Sequence, residues 1–116
     1  RGPSPFREDG RMEVIDHAPY SWFLLREGDA LLLDARCSQG AFDASVLIAL
    51  DAAELAERDA GGHDAVDRLA TAVHMSAPFA RGTTSPYRDR DLFRDGERGR
   101  ELRRKVHEAV LRFRAG

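Results

Sequence analysis

The stretch that decides the fold is Tyr20–Cys37, YSWFLLREGDALLLDARC. Two apolar runs, Tyr20–Arg26 and Ala30–Cys37, flank Glu27-Gly28-Asp29, and strands separated by so short a glycine-bearing break read as a β-hairpin. With Glu27 and Gly28 as a two-residue turn, Arg26 pairs with Asp29, Leu24 with Leu31, Trp22 with Leu33 and Tyr20 with Ala35. One face of this hairpin is almost wholly apolar: Tyr20, Trp22, Leu24, Leu31, Leu33, Ala35 and Cys37. The other carries Phe23, Leu25, Ala30 and Leu32 near the turn, with Ser21, Asp34 and Arg36 further away. Both faces are thus apolar at the turn end, which calls for a second covering layer or a partner subunit.

Outward from the hairpin, Met12–His17 reads as a preceding strand that ends at Ala18-Pro19, because proline cannot donate to a ladder. Ser38-Gln39-Gly40 reads as a turn. Phe42–Leu50 follows as a fourth strand, alternating Phe42, Ala44, Val46, Ile48 and Leu50 with Asp43, Ser45, Leu47 and Ala49. Asp51 and Glu54 have the spacing of a capping box, and a helix begins at Ala52. Leu55, Gly62, Val66, Leu69 and Val73 keep one helical phase, favouring one long helix to about Met75. The alternative is a helix pair broken at Gly61-Gly62, since two glycines cost roughly 2 kcal/mol inside a helix. Ser76–Arg90 is loop-like, and a last helix over about 99–114 carries Leu102, Val106, Ala109, Val110 and Phe113 on one side. Residues 1–11 read as a flexible arm and 12–116 as one domain.

Four strands followed by helices make a two-layer α+β fold: an antiparallel meander (12–17, 20–26, 30–37, 42–50) with the helices over 52–75 and 99–114 packed on one face. A doubly wound parallel sheet would need crossover helices that are missing between these strands.

Composition narrows the function classes. The chain has 116 residues, a net charge of −2 and 33% charged residues, with a pI near 6.1, which argues against a general nucleic-acid binder. Charge is unevenly placed, however: residues 1–80 hold 7 basic and 14 acidic side chains, residues 81–116 hold 11 basic and 6 acidic. The Arg-rich last helix therefore keeps weak nucleic-acid binding as one alternative. No apolar run approaches the ~20 residues of a membrane span, so no membrane association is expected. A single cysteine and a polar start without a signal-like apolar stretch fit a cytoplasmic protein. Only Lys105 among the 18 basic residues is lysine, a bias typical of GC-rich bacterial coding. The chain begins at Arg1, so either its start lies upstream or Met12 is the initiator.

The sequence lacks GxGxxG, GxxxxGK[ST], HExxH, GxSxG and CxxC, and no cofactor or metal is expected. His17, His63, His74 and His107 have no ligand spacing; His63 and Asp67, at i and i+4, make half a site at most. Cys37 is the lone nucleophile candidate, with His17 as its only prospective base, yet on the apolar face it reads as a small core residue. Asp34 shares a face with Ser21 and Arg36, either as a structural salt bridge or as the floor of a pocket. Glu13, His17, Ser21 and Asp34 would line one polar end of the sheet, the first place to look for a site. Catalytic candidates are therefore His17, Asp34 and Cys37, and ligand-binding candidates are Ser21, Arg36 and Tyr87. Tyr87 lies in Ser85–Asp91, whose alternating Arg and Asp suit a self-paired loop, a lid or a partner-binding loop.

Function itself is not named by these residues. The leading expectation is a homodimeric binding or regulatory domain that associates through the doubly apolar hairpin. The second is a small enzyme working at the polar end of the sheet.

Overall fold

The computed structural model describes residues 11–39 and 42–116, with backbone alone for 38, 39, 42 and 43. Residues 1–10 of the arm expected over 1–11, and Gly40 of the turn expected over 38–40, lie outside the described residues. Four strands form one antiparallel sheet in chain order: β1 (Glu13–Ala18), β2 (Trp22–Glu27), β3 (Ala30–Gln39) and β4 (Phe42–Ala49). Helices α1 (Ala52–Gly61) and α2 (His63–Met75) follow, then a 3-10 turn at Leu92–Arg94 and α3 (Gly96–Ala115). The α+β meander read from the sequence is the fold.

The hairpin turn is centred on Gly28 and Asp29, not Glu27 and Gly28, so Glu27 pairs with Ala30 and Leu24 with Leu33. Gly28 takes φ +61, which a side chain disfavours and which the first central position of a type II′ turn needs. The register differs from the expected one by two residues. Each side chain keeps its face, because side chains alternate with period two. Tyr20 leaves the strand altogether and sits in the β1–β2 turn. β3 also runs on through Ser38 and Gln39, where the sequence predicts a turn.

The layering departs from the one-face expectation. Trp22, Leu24, Leu33, Ala35, Cys37, Val46 and Ile48 pack against Val66, Ala70 and Val73 of α2. On the opposite face Leu25, Leu32 and Leu47 pack with Met12 and Phe93 against Leu102, Val106 and Ala109 of α3. The sheet is thus covered on both sides by its own chain, because α3 returns to bury the second apolar face of the hairpin. That removes the reason for expecting a partner subunit there. Helix breakage is the second departure: Gly62 takes φ +62, outside the helical region, and separates α1 from α2 although the apolar phase continues across it. The capping box is present as read, with Asp51 Oδ1 accepting from Glu54 N and Glu54 Oε1 from Asp51 N, each at 2.9 Å.

The edge of β4 is closed by the segment that resembled a lid. Asp91 Oδ1 accepts from Leu47 N and from Phe93 N at 3.0 Å. Arg90 donates to the Ala49 carbonyl at 2.8 Å and forks onto Glu54 at 2.7 and 2.9 Å. Outward-pointing groups of an edge strand otherwise invite pairing with another chain. Ser85 is buried and bonds Ser76, so this segment is a clasp on the sheet. No helix among the described residues is long and apolar enough to cross a membrane.

Candidate functional site

β1 carries a bulge between Val14 and Asp16, where the register against β2 shifts. An extra residue in one strand reverses which face the following side chains occupy. Met12 and Val14 therefore face α3, Asp16 faces α2, and His17 faces α3 beside its partner Phe23. Glu13 pairs with Arg26 near the hairpin end, so it does not join His17 as expected.

Across the α3 face, His17, Phe23, Asp34 and Leu47 form one row of register partners, and Arg36 pairs with Ser45 in the next. The C-terminal turn of α3 arches over this end of the sheet and leaves a cleft of about 380 Å³. Its walls are aromatic. The His17 and Phe23 rings stack at 5.9 Å and 13°, and the Phe113 ring meets His17 edge-on at 4.9 Å. Phe113 also stands edge-on to Phe23 at 6.4 Å, and the Arg114 guanidinium lies 5.7 Å from the Phe23 ring.

Asp34 forms the polar floor. The residue is partly buried as a whole, but its Oδ1 is out of reach of water and has no hydrogen-bond partner among the described residues. Burial pushes the carboxyl up to about 6; the Ser45 hydroxyl and the charges of Arg103 and Arg36 only partly oppose this. The salt-bridge reading of Asp34 with Arg36 therefore does not describe Oδ1.

Of the six sequence candidates, the cleft gathers His17, Ser21, Asp34 and Arg36. Cys37 lies in the α2-side core, fully buried, with its thiol pushed up to about 11 by burial first and by Asp91 and Asp34 next. The sheet separates it from His17, and burial disfavours the thiolate that a nucleophile needs. Tyr87 packs against that same core under Arg90, away from the cleft. His63 Nδ1 meets the Asp16 carboxylate at 3.1 Å while Asp67 accepts the Trp22 indole N–H at 3.0 Å, so the suspected half-site is split between two structural contacts. Phe113, Arg114 and Ser45 also line the cleft. No sequence signal placed them there, since their arrival depends on which face α3 covers.

His17 and Asp34 do not form an acid–base pair. Phe23 stands between them in the row, and neighbouring strands lie about 4.8 Å apart, which puts their backbones roughly 10 Å apart. The arrangement suits a molecule held between them, with an apolar body and at least one hydrogen-bond donor. Comparison with protein families, curated proteins and solved structures finds no match for this chain.

Proposed function

We propose that this chain is a small-molecule-binding domain whose site is the cleft between the sheet and the C-terminal turn of α3. The observation that carries the reading is the largely buried Asp34 carboxyl, unpaired at Oδ1, on the floor of an aromatic cleft. A buried carboxyl oxygen left without a donor destabilises the fold, and buried polar groups are otherwise paired. A ligand donor in the cleft would meet this carboxyl and offset part of that cost. The volume and the mixture of apolar walls with a few convergent polar groups are those of small-ligand sites. Binding is favoured over catalysis because the two titratable groups are kept apart by Phe23.

The test is a thermal-shift screen of small aromatic fragments on the wild-type chain and on Asp34→Asn. Fragments should raise the wild-type melting temperature and lose most of that effect in Asp34→Asn. A screen without stabilising fragments, or equal stabilisation of both proteins, contradicts the reading.

A further inference from the structure

The charges and rings around Asp34 narrow the ligand class, an argument that rests on the cleft being a binding site. Among the described residues Asp34 is the only carboxylate lining the cleft, whereas Arg36, Arg114 and His17 are basic. The acid lies on the floor, while the exposed Arg36 and Arg114 stand at the rim. Between floor and rim the walls are the Phe23 and Phe113 rings.

Tyr20 adds an independent observation. Ser21 N donates to the Ala18 carbonyl at 3.0 Å across a turn with Pro19 and Tyr20 at its centre. Tyr20 takes φ +64, at the position where a type II turn with proline ahead of it favours glycine. It is also 91% exposed, yet lines the cleft mouth. A bulky ring at a glycine position, left in solvent, breaks two local preferences at one residue, and such breaks cluster where ligands are clamped.

We infer that the cleft binds a planar aromatic acid carrying an O–H or N–H donor on the end remote from its acid group. The donor meets the Asp34 carboxyl at the cleft floor, the ring lies along Phe23 and Phe113 with Tyr20 closing over it, and the acid group faces Arg36 and Arg114. Aromatic stacking and charge-assisted hydrogen bonds supply the recognition.

Calorimetry with 4-hydroxyphenylacetate, phenylacetate and tyramine tests each part. The first should bind. Removing its hydroxyl, as in phenylacetate, or exchanging its acid for an amine, as in tyramine, should weaken binding roughly ten-fold or more. Asp34→Asn should abolish the preference for the hydroxylated acid, and Arg114→Gln should reduce the preference for acid over amine. Tyr20→Gly should bind more weakly while melting at a higher temperature, a combination that a purely structural tyrosine would not give. Tyramine binding as tightly as 4-hydroxyphenylacetate overturns the ligand class but leaves the site standing. Failure of all three probes, with Asp34-dependent fragments still found in the thermal screen, does the same. Failure of both experiments overturns the site as well. A Tyr20→Gly protein that binds like the wild type removes Tyr20 from the proposal.

Discussion

Asp34 is the residue at which stability and the proposed role pull apart. Its folded carboxyl titrates near 6 against 3.8 for the ordinary group, so between those values the folded state holds more protons than the unfolded one. Stability therefore falls as pH rises from about 4 to about 6 and levels off above, by on the order of 2–3 kcal/mol from this group. Asp34→Asn should be more stable than the wild type by about 1–2 kcal/mol at pH 7.5, with the gain vanishing near pH 4. Urea unfolding at the two pH values measures this directly; a variant less stable at pH 7.5 would contradict it. Asp34 was legible as a pocket candidate because it shares a strand face with Ser21 and Arg36. The unpartnered oxygen was not, because pairing with Arg36 satisfies the same sequence equally well. Cys37 was read correctly as core from the alternation of β3 alone.

At the scale of elements, α3 meets the 3-10 turn at Gly99. A Cβ there would stand 2.3 Å from the Phe93 carbonyl oxygen, inside any real contact distance. Helix propensity alone predicts that Gly99→Ala stabilises by about 1 kcal/mol. The backbone contact predicts the opposite sign, a loss of about 1–3 kcal/mol, as for other overpacked sites. Chemical denaturation of the variant decides between them. The strands and capping box were legible because period-two alternation and Asp–Glu spacing are local. The β1 bulge was not. It depends on how Val14 and Asp16 meet β2, and without it His17 would face α2. The break at Gly62 was equally hidden, since the apolar stripe runs through it and only the backbone angle reveals it.

For the whole molecule, the decisive event is that the sheet is covered on both faces. The hairpin's second apolar face pointed with equal force to a covering helix or a second copy, and α3 supplies the helix. Sequence periodicity shows that α3 has an apolar stripe. It does not say which side of the sheet that stripe meets, and the cleft exists only because of that choice. Leu32→Asp, which puts a charge into the α3-side core, should accordingly lower stability by about 3 kcal/mol or more. Phe23→Asp, at the half-buried base of the cleft, should cost less. Both effects should be read as a lower melting temperature with the solution mass unchanged; a fall in mass without loss of stability would restore the interface reading.

The most direct test of the account is chemical-shift mapping of the labelled chain during titration with 4-hydroxyphenylacetate. Saturable shifts centred on His17, Phe23, Asp34 and Phe113, with Cys37 and Tyr87 unmoved, are the predicted result. Shifts centred on the α2 face, or no saturable change anywhere, would contradict the assignment of this cleft as the binding site for such acids.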